Sequence, residues 1–113
     1  MSEFNHEAWA SSMAQMKTTT PEIGRSFGAM FQGLMKAGAL TVREKELVAL
    51  GIGISQRCEP CIYSHVEKCL KAGATPEQIY EVAGVAVVMG GGPVYTHVPS
   101  VLQAVEAMQA KTA

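Results

Sequence analysis

Helix starts recur along this chain, and they restrict its architecture more than any other feature. Thr20-Pro21-Glu22 reads as a threonine cap, a proline at the first helical position and an acid in the first turn. Thr75-Pro76-Glu77-Gln78 repeats the pattern, and Thr41-Val42-Arg43-Glu44 has the form of a capping box. Residues 47–54 and 85–89 are short apolar runs, a type that also suits buried strands. Each lies downstream of a helix start with no turn signal between, which decides for helix. The expected fold is all-α, a bundle of about six helices, in a single domain over residues 1–113.

The first helix is expected over 5–18, with Trp9, Met13 and Met16 on one side. Ile23, Phe27, Met30, Phe31, Leu34 and Met35 give the three-four period of a second, which Gly38 can stop. A third should cover about 41–56. A fourth opens at Cys58-Glu59-Pro60-Cys61 and runs to about Ala72, where Gly73 suits a left-handed cap. A fifth starts after Thr75 and breaks at Gly90-Gly91-Gly92-Pro93. A sixth should span about 93–110, with a kink near Pro99. The triple glycine lacks the Lys-Ser/Thr of a phosphate loop and reads as a helix break. Gly51 and Gly53 each cost an isolated helix about 1 kcal/mol relative to alanine, but in a packed core they permit close helix contact.

Several function classes are disfavoured at once. The net charge is −1 with no basic stripe, so nucleic acid is not expected as a partner. No apolar run reaches the roughly 18 residues that a bilayer span needs. Met1-Ser2-Glu3-Phe4-Asn5-His6-Glu7 has neither a basic start nor an apolar core, so no signal peptide is expected. Three cysteines, an odd number, do not suggest a secreted disulfide framework, and the expected compartment is cytoplasmic. There, Cys-x-x-Cys is more often catalytic or metal-binding than a structural bridge. Residues 47–54 and 79–89 are nearly all apolar, more than so small a domain can easily hide, so part of that surface should lie between subunits of a homo-oligomer.

Cys58, Cys61, His65 and Glu46 carry the chemistry. Cysteines three apart can close a disulfide within one helical turn. At a helix start, unpaired N–H groups and the helix dipole favour a thiolate. His65 is four residues after Cys61, on the same helix face, and can take its proton or stabilise its anion. Cys58 is two turns from His65. Cys61 is therefore expected to be the attacking thiolate and Cys58 the resolving thiol. Glu46, on the preceding helix, could reach and orient His65, although Glu44 is also near.

Rival readings attach to the same residues. Cys58, Cys61, His65 and Cys69 are four possible zinc ligands. Cys61 and Cys69, however, lie about 12 Å apart along a straight helix and could hardly share one ion. No metal or cofactor is therefore expected. Cys69 alone reads as a small buried residue, and Tyr95 and His97 as structural. Cys-x-x-Cys before a helix imitates a thioredoxin fold locally, but residues 62–113 offer none of the strands that fold needs.

The spacing from Glu46 through eleven residues to Cys58, two to Cys61 and three to His65 resembles the active-site signature of the carboxymuconolactone decarboxylase family, in its alkylhydroperoxidase D-like (AhpD-like) branch. Arg43-Glu44-Lys45-Glu46-Leu47-Val48-Ala49-Leu50 and Gly73-Ala74-Thr75-Pro76-Glu77-Gln78-Ile79 extend the likeness, which covers roughly 30–108. It implies an all-helical trimer or hexamer acting as a thiol-dependent peroxidase or disulfide reductase. The substrate would be a hydroperoxide or a disulfide, and the electron donor lipoyl or thioredoxin-like. Cys61 would be the reactive thiol, Cys58 its disulfide mate, His65 the base and Glu46, rather than Glu44, the relay acid. Pro60 stands where well-known members carry a histidine. The wider family also admits a cofactor-free decarboxylase or lactone-acting enzyme, though such members generally lack the cysteine pair. A non-enzymatic redox-sensing oligomer is the third alternative.

Overall fold

The computed structural model describes residues 4–112; residues 1–3, part of the stretch read above for a leader, and residue 113 lie outside the described residues. Regular structure among the described residues is entirely helical, as expected: α1 (His6–Thr19), α2 (Pro21–Met35), α3 (Val42–Ser55), α4 (Glu59–Lys71), α5 (Pro76–Gly90), α6 (Gly92–Tyr95) and α7 (Val98–Thr112). None of them is long and apolar enough to cross a membrane. The chain divides into two compact units, Met1–Ala39 and Leu40–Ala113.

The first unit holds α1 and α2. Asn5 caps α1 by accepting the Ala8 N–H at 2.9 Å. Thr20 departs from its expected role. Its hydroxyl does not cap α2 but donates backward to the Met16 carbonyl at 2.7 Å, as does its own N–H. The last-turn carbonyls of α1 lack helical partners, and Thr20 satisfies one of them. Pro21 then opens α2, where it needs no N–H donor. The apolar stripe of α2 stays open: Ile23, Phe27, Met30 and Leu34 are all more than half exposed.

The second unit is built on α3, α4, α5 and α7, with α3 packed on α4 and α5, and α4 on α7. The expected capping box of α3 forms, and the cap-plus-proline start of α5 proves to be a capping box as well. Thr41 and Glu44 exchange bonds of 2.8 and 3.0 Å, and Thr75 and Gln78 exchange bonds of 3.0 and 3.1 Å. These bonds to Thr41 also hold the exposed Glu44 carboxyl below its usual pKa. Leu50 and Ile54 of α3 meet Ile62, Val66 and Cys69 of α4, Ile79, Ala83 and Ala86 of α5, and Val101, Ala104, Val105 and Met108 of α7 in one buried core. Each fully buried Ile, Leu or Val there contributes about 1.5–3 kcal/mol. The outer halves of both apolar runs remain exposed at Val48, Ile52, Val85, Val88 and Met89.

Two similar helix ends set the angles of the chain. At the end of α4, Ala74 N–H bonds the Cys69 carbonyl at 2.9 Å and Gly73 N–H bonds that of Leu70 at 3.1 Å, with Gly73 at φ 96°. This is a Schellman closure with glycine in the left-handed position. The end of α3 repeats it. Cys58 N–H bonds Gly53 at 3.1 Å and Arg57 N–H bonds Ile54 at 2.9 Å, but here Arg57 takes the left-handed place at φ 54°. Cys58 thus closes α3 with its backbone and caps α4 with its side chain.

The helix expected over 93–110 is two pieces. After α5 ends, Gly91 turns at φ 73°, α6 makes a single turn, and α7 starts afresh at Val98. Pro99 is the cause, acting upstream of the expected kink. Inside a helix it would give Tyr95 no N–H and its ring would strike the Tyr95 carbonyl. The helix therefore stops at Tyr95, and Pro99 falls in the first turn of the next one, where it is tolerated.

Candidate active site

The antiparallel run of α4 back along α3 assembles the site. Gly53 and Glu46 lie two turns apart on α3, and Cys61 and His65 one turn apart on α4. Because the chain reverses between Ser55 and Glu59, the late residue of α3 meets the early residue of α4, and the early one the late. A β-carbon added at Gly53 would lie 3.0 Å from Cys61 Cβ. One turn further, His65 Nδ1 and Glu46 Oε1 are 2.7 Å apart.

Cys58 and Cys61 form a disulfide, with Cα atoms 5.2 Å apart. The Cys61 N–H also points at Cys58 Sγ, at 3.3 Å, so sulfur occupies the place that a serine or threonine oxygen takes in an ordinary N-cap. Pro60 has no N–H to satisfy in that first turn. An anion on Cys58 would therefore rest on a backbone donor at the positive end of a helix dipole.

Glu46 is only 4% exposed, the one charged residue that is buried among the described residues. A carboxylate is costly to bury, and the bond to His65 offsets that cost. Of the two acids near the site in sequence, Glu46 meets the histidine, while Glu44 is spent on the α3 cap. With Nδ1 facing a carboxylate, the ring is held in one orientation.

Cys69, one turn past His65, is fully buried and free. Burial, and then the Glu46 charge, push its thiol up to about 12. It is a core residue of this unit. No group of three or more His, Cys, Asp and Glu side chains among the described residues is arranged to hold a metal ion. His97 bonds the carbonyl of Pro93 at 3.1 Å, and the Tyr95 side chain is largely exposed.

Two contacts at the site were not foreseen from the residues. One is the specific closeness of Gly53 to Cys61. The other is a hydrogen bond of 2.6 Å from the Ser100 hydroxyl of α7 to Glu59 Oε1, between the two cysteines. Glu59 and Ser100 are far apart in sequence, and nothing in a single chain links them.

Comparison with known proteins gives this geometry a family. Residues 21–107 match the carboxymuconolactone decarboxylase family. The chain belongs to that family. The cysteine pair is consistent with its AhpD-like branch. Among relatives of this family member is an uncharacterized protein of Cupriavidus necator, 38% identical over 69% of this chain and 81% of its own length. A carboxymuconolactone decarboxylase family protein from Legionella pneumophila, solved in its apo form, superposes with a TM-score of 0.85 at 32% identity, covering 91% of this chain and 92% of its own. A family protein from Thermotoga maritima, described as a candidate for the antioxidative response, superposes with a TM-score of 0.72 at 30% identity, covering 78% of this chain and 91% of its own.

Proposed function

We propose that this family member is a thiol–disulfide oxidoreductase that reduces hydroperoxides or a partner's disulfide through Cys58 and Cys61. The observation that carries the reading is the disulfide at the start of α4, in the same packed helix pair as the buried Glu46–His65 contact. The description of the Thermotoga maritima relative points the same way.

In the peroxidase direction, the Cys61 thiolate attacks the terminal oxygen of the peroxide. The O–O bond breaks, the alcohol leaves with a proton, and Cys61 becomes a sulfenic acid. The Cys58 thiolate, held by the Cys61 N–H, then displaces hydroxide from that sulfur, which departs as water. His65 exchanges these protons through Nε2, since Nδ1 faces Glu46. A dithiol donor of the lipoyl or thioredoxin class returns two electrons and two protons. It attacks Cys61, because Cys58 is the leaving sulfur that the helix start stabilises. A protein disulfide would enter by the same attack from Cys61.

A second copy of the chain would cover the exposed apolar residues of α3 and α5 in the working homo-oligomer. Such a dithiol cycle suits a reducing, cytoplasmic setting.

Reduced protein given one equivalent of peroxide should lose two hydrogens from the peptide holding residues 58–61, and dithiol should restore them. Cys61→Ser should abolish turnover, and Cys58→Ser should stop the cycle after one attack, at a sulfenic acid or mixed disulfide. Full turnover in both variants overturns the proposal.

A further inference from the structure

We infer that Ser100 is a positioning residue for the redox pair: by holding Glu59 it keeps the first turn of α4 closed when the Cys58–Cys61 bond opens. This rests on the proposed redox role of the two cysteines and adds how the dithiol is kept ready to close.

Few bonds hold that turn in place once the disulfide is open. Glu59 and Pro60 are the only residues between the cysteines. Pro60 has no N–H, so it contributes no backbone donor of its own. The Cys61 N–H is directed at Cys58 Sγ, a weak acceptor as a thiol. When the disulfide opens, the Cys61 N–H keeps only a soft cap, and the Ile62 N–H still bonds the Cys58 carbonyl at 2.9 Å. A side-chain tie from α7 is likewise independent of sulfur. Ser100 Oγ donates to Glu59 Oε1 at 2.6 Å, in partly buried surroundings, a short bond to an ionised acceptor. Its other end is anchored, because α7 carries Val101, Ala104 and Val105 in the core and packs along α4. The Glu59 charge also raises the neighbouring Tyr63, after burial, which agrees with a carboxylate held over this side of α4.

The consequence is thermodynamic. In the oxidised protein the disulfide already fixes the turn, so the Ser100 bond forms at little ordering cost. In the reduced protein the same bond raises the effective concentration of one thiol at the other. Tie and disulfide therefore favour each other by equal amounts. Removing the tie should leave the reduced form freer, weaken the disulfide and shift the couple toward the dithiol.

The test is redox equilibrium of the full-length protein with glutathione: the protein disulfide plus two glutathione thiols gives the protein dithiol plus one glutathione disulfide. Ser100→Ala should move the equilibrium toward dithiol by roughly threefold to tenfold, the scale of one hydrogen bond. Ser100→Thr, which keeps the hydroxyl, should restore it. Glu59→Ala should give the same shift, and the double variant should add nothing further. Circular dichroism confirms that each variant is folded. Equal constants for wild type and Ser100→Ala, or fully additive effects of the two alanines, overturn the positioning role while leaving the redox reading intact. A wild-type protein whose cysteines never equilibrate with glutathione overturns the redox reading itself.

Discussion

Gly53 of α3 and Cys61 of α4 approach so closely that a β-carbon on residue 53 would sit 3.0 Å from the Cys61 Cβ. Cys61 has little freedom to yield, since its backbone opens α4 and its sulfur is bonded to Cys58. Gly53→Ala should gain about 1 kcal/mol of helix propensity and lose about 1–3 kcal/mol to overpacking. The net expectation is a destabilised protein whose disulfide recloses more slowly. Urea unfolding and the rate of thiol loss after reduction check this. An alanine variant as stable as wild type would show that α3 and α4 can part at this point without cost.

His65 and Glu46 are separable by activity. If His65 exchanges protons as proposed, His65→Ala should lower peroxide turnover by about 10²–10⁴-fold. Glu46→Gln keeps a bonding partner for Nδ1 but removes its charge, so a smaller loss and an altered pH–rate profile are expected. Stopped-flow kinetics across pH distinguishes the two. Identical profiles for wild type and Glu46→Gln would remove Glu46 from the relay.

Cys69 should be inert where the other two thiols react. With its pKa pushed up to about 12, its thiolate fraction at neutral pH is about a thousandfold below that of an ordinary thiol. Reduced native protein treated with iodoacetamide should therefore carry two labels, with the third appearing only on unfolding. The linked effect on stability has a definite sign. Below the unfolded value of 9.0 both states hold the proton and the contribution is fully present. As pH rises from there toward about 12, the unfolded chain ionises first, so stability falls. Cys69→Ala should flatten that alkaline decline in urea titrations.

The two Schellman closures predict opposite responses. Arg57 is the one non-glycine at positive φ among the described residues, and Gly73 holds the matching place after α4. A side chain in that conformation costs about 1–2 kcal/mol, against about 0.5–1 kcal/mol for glycine's extra unfolded freedom. Arg57→Gly should thus stabilise by up to about 1 kcal/mol, and Gly73→Ala should destabilise by about the same or more. Thermal melts of both variants provide the comparison.

Val88 and Met89 are 82% and 80% exposed at the end of α5. If a second copy covers them, Val88→Glu with Met89→Glu should elute from a sizing column at a smaller mass than wild type, with helix content unchanged. Equal elution would exclude this end of α5 from the interface.

Much of this protein was legible from local rules. Thr41, Thr75 and Gly73 announce helix ends because a cap is an interaction across three or four residues, and each took the expected place. The spacing of Cys58, Cys61 and His65 is equally local, since it lies within one helix. Thr20 and Pro99 mark where such rules fail. The Thr20 hydroxyl had two helix ends within reach and satisfied the one behind it. Pro99 broke the chain four residues upstream, where its ring would have met a carbonyl. Beyond that range, packing alone decides. The residue types and spacing determined an all-helical chain with a thiol pair at a helix start and a histidine one turn on. Only the antiparallel seating of α4 on α3 decided that Glu46 meets His65 while Glu44 serves a cap, and that Gly53 admits Cys61. Only the packing of α7 on α4 brought Ser100 to Glu59. Those contacts join residues distant in sequence, and their geometry is set by how side chains fill a shared core.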